Sequence, residues 1–121
     1  MTLRIMKKFE FSASHRLDGL HDGHQCARLH GHNYVVELEL SAATTHDLTP
    51  TGFVRDYGDL STFKTWLDKT LDHQHLNDIV PGNPTAENMA VWMHAQWAVE
   101  YPELTAVRVS ETPKTWAEYR P

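Results

Sequence analysis

The sequence has a single cysteine, Cys26, in 121 residues. One cysteine cannot form an internal disulfide, which is typical of a reducing compartment and leaves the thiol free for chemistry. The chain also lacks any run of about 18 apolar residues, so no ordinary transmembrane helix is expected. No apolar signal segment precedes the first strand-like residues. We therefore expect a cytoplasmic protein with no membrane partner.

Positive charge is scarce as well. Lysine and arginine together number 11 against 16 aspartates and glutamates, which gives a net charge of -5. Binding to a phosphate backbone needs clustered positive charge, and no such cluster is present, so nucleic acid is not an expected partner. A small anionic substrate would therefore have to bind to individual basic side chains rather than to a basic cluster. The length fits one domain spanning residues 1–121.

Histidine, in contrast, is abundant, with nine residues. His30 and His32 stand two residues apart where a strand pattern begins, so their side chains share one face about 6.5 to 7 Å apart. His15 lies on the apolar parity of an earlier strand, and a polar loop would pair the two strands as a hairpin. Taken singly, each of these histidines could be an ordinary turn residue or a buried core residue. Together they predict a catalytic type of zinc site with an open fourth position, for which His21 and His24 are competing ligands.

The hydrophobic pattern predicts two strands, two helices and two further strands. Thr85 is a plausible cap for the second helix, whose stripe of Met and Trp indicates core packing, and Asp59 is a plausible cap for the first. The predicted architecture is therefore α+β, with an antiparallel four-stranded sheet and two helices on one face, in the order ββααββ. The strand patterns are found at residues 3–17, 33–40, 104–110 and 116–119.

Two further features suggest acid–base chemistry. Asp72 directly precedes His73, and a neighbouring carboxylate can orient an imidazole and raise its basicity. A polar helix end is the alternative interpretation. Cys26, four residues before His30, is either a small buried side chain or a thiol whose thiolate a nearby cation stabilises.

Six motifs are spread along nearly the whole chain: FSASHR at 11–16, Cys26-x-x-x-His30-Gly31-His32, GFVRDY at 52–57, LDHQHLN at 71–77, NPTAEN at 83–88 and VSET at 109–112. Together they resemble the 6-pyruvoyl-tetrahydropterin synthase and 6-carboxy-tetrahydropterin synthase family, nearly end to end. Arg55 stands where the family more often has an apolar residue. The resemblance implies the tunnelling fold, in which trimers form a twelve-stranded barrel, two trimers stack into a hexamer, and active sites lie at subunit interfaces.

The same resemblance implies roles for individual residues. Cys26 would be the general base, and His73 with its partner Asp72 would relay the proton. The Glu111 carboxylate would anchor the pterin by accepting hydrogen bonds from the guanidine-like edge of the pterin. Glu111 would also belong to the catalytic proton relay. Thr85 and Glu87 resemble further pterin contacts. The implied zinc ligands are His15, His30 and His32.

The reaction implied is the conversion of 7,8-dihydroneopterin 3'-triphosphate to 6-carboxy-5,6,7,8-tetrahydropterin, with release of acetaldehyde and triphosphate, for 7-deazaguanine pathways such as queuosine. A pyruvoyl product is the alternative within the family. A zinc- and pterin-binding oligomer without turnover is the alternative outside it, and a three-histidine hydrolase on another fold is a third. The candidates to meet the triphosphate are Arg4, Lys7, Lys8, Arg16 and Lys114.

Overall fold

A computed structural model describes residues 2–121 of the chain. None of the helices it describes is long and apolar enough to cross a membrane. The strands are β1 (Leu3–His15), β2 (His30–Ala42), β3 (Gln74–His75), β4 (Leu104–Thr112) and β5 (Thr115–Tyr119). The helices are α1 (Ser61–Thr70) and α2 (Ala86–Trp97).

The sheet has the order β3-β1-β2-β4-β5. The β1–β2, β2–β4 and β4–β5 pairs are antiparallel, as expected, and the α+β class is confirmed. The strand count differs from the expected four, because β3 adds a short parallel pairing with β1 at Ala13 and Ser14. Two residues are too few to show an alternating pattern, so this strand leaves no signal in the sequence.

One face of the sheet carries the core. Phe9 and Phe11 of β1 alternate with exposed or half-buried neighbours, as the period of a strand requires, and they pack beneath the two helices. The stripe on α2 is buried at Met89, Met93 and Trp97, which confirms its core role. Both helices therefore cover the same face of the sheet, and within residues 2–121 no helix packs against the other face.

The caps of the two helices differ. Thr85 accepts a hydrogen bond from the backbone N–H of Asn88, so it caps α2 as expected. The expected cap at Asp59 is wrong, because a 3-10 turn over Tyr57–Leu60 precedes α1 and Asp59 lies inside it. Asp56 caps that turn by accepting from the Gly58 N–H at 2.8 Å. A tight turn running into a helix cannot be separated from the helix by apolar spacing alone.

The helix-free face holds a buried carboxylate, Glu39, which is fully excluded from solvent. Arg120 forms two bonds to it, at 2.6 and 3.0 Å, and Arg108 forms a third at 2.6 Å. Thr105 donates at 2.8 Å. The hydrogen bonds from Arg120, followed by those from Arg108, lower the pKa of Glu39 to about 2, against the opposing effect of burial. Glu39 therefore organises β2, β4 and the chain end after β5.

Replacement of Glu39 by glutamine is expected to destabilise the protein by about 2 to 3 kcal/mol at pH 7, because the arginines lose a buried counter-charge. The carboxylate is ionised in the folded chain down to about pH 2 and in the unfolded chain only above about 4.5. Its contribution is thus complete above pH 4.5 and is lost as the pH falls towards 2. Denaturant unfolding of both proteins across this range checks the trend. The exposed Glu10→Gln is the control, and an equal effect of both substitutions would contradict the role of Glu39.

Candidate metal and active site

Strand register brings three histidines together. His15 is directly opposite His30 at the end of the β1–β2 ladder, and Ala13 is opposite His32. Side chains opposite one another or two apart in an antiparallel pair share a face, so all three imidazoles point to the helix-covered side. One ligand atom from each lies within 4.8 Å of the others. The hairpin therefore builds a candidate metal site at its open end.

Backbone carbonyls orient two of these rings. The Nδ1–H of His15 donates to the Pro84 carbonyl at 2.8 Å, and the Nδ1–H of His30 donates to the Arg28 carbonyl at 2.6 Å. A neutral imidazole protonated at Nδ1 carries a lone pair at Nε2. The two Nε2 atoms lie 2.9 Å apart, so two lone pairs face each other. A cation bound between the two nitrogens would remove this repulsion. A metal-bound histidine usually donates its other ring N–H to a carbonyl or a carboxylate, as the Nδ1–H groups of His15 and His30 do here.

Burial favours the neutral form of two of the three imidazoles. Desolvation lowers the pKa of His15 and of His32, and the nearby Glu111 carboxylate opposes part of the effect for both. The Nε2 of His32 is buried without a hydrogen-bond partner among the described residues, at 3.6 Å from a carboxylate oxygen of Glu111. An orphaned buried nitrogen beside two facing lone pairs fits a bound metal ion. Three imidazole nitrogens within 4.8 Å of one another are a donor set that zinc accepts.

Cys26 lies in the loop between β1 and β2. It occupies the middle of a 3-10 turn, Gln25–Ala27, and its thiol is free and half-buried. The competing ligands His21 and His24 stack edge to face in the same loop, with ring centroids 5.2 Å apart. The Nδ1 of His24 accepts the backbone N–H of Cys26 at 3.0 Å. His24 thus binds the cysteine main chain, and neither loop histidine belongs to the three-histidine group.

Asp72 and His73 form a hydrogen-bonded pair at 2.9 Å, between Oδ2 and Nδ1. The other oxygen of Asp72 accepts the Ser12 N–H at 2.9 Å, and this bond, with the one from His73, lowers the pKa of Asp72. His73 has a positive φ of 60° and is largely exposed. Its own N–H donates to the Ser12 carbonyl. Edge pairing to β1 therefore holds a strained backbone, a common feature of functional positions.

Two clefts border these groups. One, of about 450 Å³, is lined by both His32 and His73. The other, of about 400 Å³, is lined by Glu87 and Glu111 at the start of α2 and the end of β4. Among residues 2–121, the linings of these two clefts do not include Cys26 or Thr85. A single chain therefore places two carboxylates in one cleft and His73 in the other, and the approach of His32 to Glu111 at 3.6 Å joins the two clefts.

The basic residues considered for the triphosphate are engaged in different places. Arg4 lies 3.5 Å from Glu39, and Arg16 lies 3.6 Å from Asp18. The ammonium of Lys7 lies over the Phe9 ring, and that of Lys8 over the Trp116 ring. Arg55, which departs from the family pattern, makes two hydrogen bonds to Glu103 at 2.9 and 3.1 Å.

Some contributors to the site carry no sequence signal. The carbonyls that orient His15 and His30 belong to Pro84 and Arg28, and any residue type can offer a carbonyl. The bond from His24 to Cys26 could have been anticipated, because a histidine two residues before the cysteine stands at a capping position of a turn.

The fold and the histidine cluster define a class of protein: an α+β sheet domain with three histidines that could hold a metal ion at the open end of its first hairpin. The sequence profile of the 6-pyruvoyl tetrahydropterin synthase family matches residues 4–121. The chain belongs to this family.

Individual relatives agree with this placement. The chain is 30% identical over 144 residues to the 6-carboxy-5,6,7,8-tetrahydropterin synthase of Rickettsia bellii, which covers 96% of this chain and 99% of the relative. The Haemophilus influenzae enzyme of the same name is 30% identical over 141 residues, covering 97% and 98%. The structure of 6-pyruvoyl tetrahydropterin synthase from Caenorhabditis elegans matches with a TM-score of 0.84 at 28% identity, covering 100% and 96%. The expected tunnelling fold is confirmed.

The metal site predicts a clear division among the histidines. His15→Ala, His30→Ala or His32→Ala is expected to lower the metal bound after zinc loading from about one ion per chain to less than a tenth, since two imidazoles hold zinc poorly. His21→Ala and His46→Ala are the matched controls and should retain it. Elemental analysis after gel filtration gives the metal content. Full occupancy in His32→Ala would contradict the assignment.

Proposed function

We propose that the chain is a 6-carboxy-5,6,7,8-tetrahydropterin synthase. Its reaction converts 7,8-dihydroneopterin 3'-triphosphate to 6-carboxy-5,6,7,8-tetrahydropterin and releases acetaldehyde and triphosphate. The product would enter 7-deazaguanine synthesis, such as the queuosine pathway. Family membership and relatives that carry this name over nearly their full length support the proposal.

The position of Glu111, 3.6 Å from His32, is the observation that carries the proposal. It puts a carboxylate suited to the guanidine-like edge of a pterin beside the proposed metal ligands. Glu87 borders the same cleft as Glu111, so a second carboxylate is available to the ring or its substituents. The hydroxyl of Thr85 accepts the Asn88 N–H and so caps α2. It can still donate one hydrogen bond and accept one more, so it remains available to the pterin.

The proposed zinc ligands are His15, His30 and His32. Zinc bound there would supply Lewis-acid polarisation of the oxygens on the pterin side chain. The orientation of the ligand rings comes from the chain itself, through the Pro84 and Arg28 carbonyls. Because the rings of His15 and His30 are held before any substrate arrives, little reorganisation of these two ligands would be needed during the reaction.

Proton transfers are assigned to three residues. Cys26 removes a proton from a side-chain carbon as the thiolate, and His73 returns protons at its imidazole. Asp72 holds the Nδ1 of His73 at 2.9 Å, which fixes the tautomer that keeps Nε2 available to substrate. The bond from the Ser12 N–H lowers the pKa of Asp72, so its carboxylate stays ionised beside His73.

We infer a homo-oligomer, a hexamer built as a dimer of trimers, with active sites between subunits. Among residues 2–121, strand pairing on the outer edge of β1 is confined to Ala13 and Ser14, and β5 is the opposite edge of the sheet, so both edges can pair with other subunits. Cys26 lines neither of the two clefts that border His73 and Glu111. Assembly would bring these groups together across an interface.

Turnover tests the reaction directly. Zinc-loaded protein incubated with dihydroneopterin triphosphate is expected to yield carboxy-tetrahydropterin and acetaldehyde, both followed by mass spectrometry. Cys26→Ala should slow this by about 100-fold or more, since a general base commonly contributes this much, with the zinc content unchanged. A pyruvoyl product would assign the sister activity. Bound pterin with no conversion would favour the binding oligomer and end the catalytic proposal.

The two carboxylates of the cleft can be separated by substitution. Glu111→Gln is expected to weaken binding of the pterin product by about tenfold to 100-fold, because a charge-assisted pair of hydrogen bonds is lost. Glu87→Gln should have a smaller effect, and the exposed Glu100→Gln none. Product affinity by calorimetry on zinc-loaded protein provides the measurement. If Glu87→Gln gave the larger loss, the anchor would be Glu87.

A further inference from the structure

Two asparagine side chains hold the segment that leaves β1. The amide of Asn77 accepts the Arg16 N–H at 2.8 Å and donates to the Arg16 carbonyl at 2.7 Å. The amide of Asn83 does the same for Asp18, at 2.8 and 2.7 Å. A carboxamide offers one acceptor and two donors, so each side chain imitates a peptide group of a neighbouring strand.

These four bonds continue the pairing of the sheet edge. Before them, β3 pairs with β1 at Ala13 and Ser14, and the Ser14 hydroxyl bonds to His75 at 2.9 Å. Among residues 2–121, strand pairing with β3 ends at Ser14, and on this edge the two asparagine side chains bond to the backbone at alternate residues, 16 and 18. Arg16 and Asp18 are exposed, so water could have satisfied their backbone groups. The bonds therefore fix position rather than relieve buried polar atoms.

The residue between the two, Leu17, faces the other way. Its N–H donates to the Cys26 carbonyl at 3.0 Å. The Cys26 N–H in turn donates to the Nδ1 of His24 at 3.0 Å. Both backbone polar groups of the cysteine are thus engaged, and the bond to Leu17 ties its turn to the extended segment.

Asn83 also connects this segment to the metal site. The next residue, Pro84, provides the carbonyl that orients His15. The Asn83 carbonyl accepts from the Thr85 N–H and from the side chain of Asn88, both at 2.9 Å, so the backbone around Asn83 is itself held. One rigid stretch of chain therefore sets both the orientation of a metal ligand and the path of the loop that carries Cys26.

We propose that Asn77 and Asn83 are positioning residues that place the Cys26 thiol relative to the metal-ligand end of β1. Neither asparagine has a role in the chemistry itself. They act through residues 16–18 and the bond from Leu17 to Cys26. The effect on turnover rests on the function proposed above, whereas the effect on the loop does not.

The test uses the zinc-loaded full chain with Asn77→Ala, Asn83→Ala and the double substitution. Gln96→Ala, on the exposed side of α2, is the matched control. We expect kcat to fall by about tenfold to 100-fold, because a displacement near 1 Å has this cost, while KM changes by less than about twofold. Amide hydrogen exchange of Leu17 and Cys26 should quicken by about tenfold, with no change in the paired core of β1 and β2. Zinc content should remain at the wild-type level.

His24 gives an independent arm that does not disturb the asparagines. His24→Asn keeps a side chain able to accept the Cys26 N–H and should retain wild-type kcat, whereas His24→Ala should lower it by about tenfold. Rescue by asparagine separates positioning from a chemical role of the imidazole. This comparison also serves if the double asparagine variant fails to fold.

Several results would overturn the proposal. Unchanged exchange at Leu17 and Cys26 in Asn77→Ala and Asn83→Ala would show that the asparagines do not hold the loop. Faster exchange with unchanged kcat would show that the asparagines hold the loop without any effect on catalysis. Loss of zinc would show that they act on His15 alone and not on the loop of Cys26. Absence of turnover in the wild-type protein would refute the proposed function instead, with the exchange measurement still deciding whether the loop is held.

Discussion

The antiparallel register between β1 and β2 is the constraint on which the site depends. The ladder runs from Leu3 opposite Ala42 to His15 opposite His30. Phe9 and Phe11 share a face with His15, so the packing that buries the aromatic rings also directs the imidazole inward. A slip by one residue would turn every side chain of the strand to the other face. The core thus specifies the geometry of the histidine cluster, and its buried Tyr34 ring lies edge to face with the rings of His15 and His32.

The two faces of the sheet solve different problems. The helix side is closed by apolar packing, whereas the other side buries Glu39 among arginine side chains. A buried carboxylate is costly unless its oxygens are fully bonded, and each oxygen of Glu39 has at least two hydrogen bonds. Such a network is directional. It holds β4 and the end of the chain in place relative to β2, which also determines where Glu111 meets His32.

The long, regular elements could be predicted from the sequence. The short elements and the contacts between distant side chains could not. Alternation and helical spacing predicted β1, β2 and the α2 stripe, because many residues repeat the same signal. The two residues of β3 and the 3-10 turn before α1 are too short to repeat anything. The approach of the three histidines followed from strand pairing, whereas the contact between Glu111 and His32 depends on the bulged end of β4, whose register no local pattern reveals.

The asparagine contacts show a further reason for that difference. Asn77 lies 61 residues from Arg16, and Asn83 lies 65 residues from Asp18. In the sequence each reads as an ordinary turn residue, because a carboxamide suits turns as well as it suits peptide mimicry. Peptide mimicry becomes possible only in the folded chain, where these asparagines lie beside the edge of β1. The candidate metal site has the same character, because the Nε2 atoms of His15 and His30 face each other at 2.9 Å and only strand pairing brings them together. A metal ion bound only by the folded form would stabilise that form by mass action, so an ion held there would in turn stabilise the hairpin that creates the site.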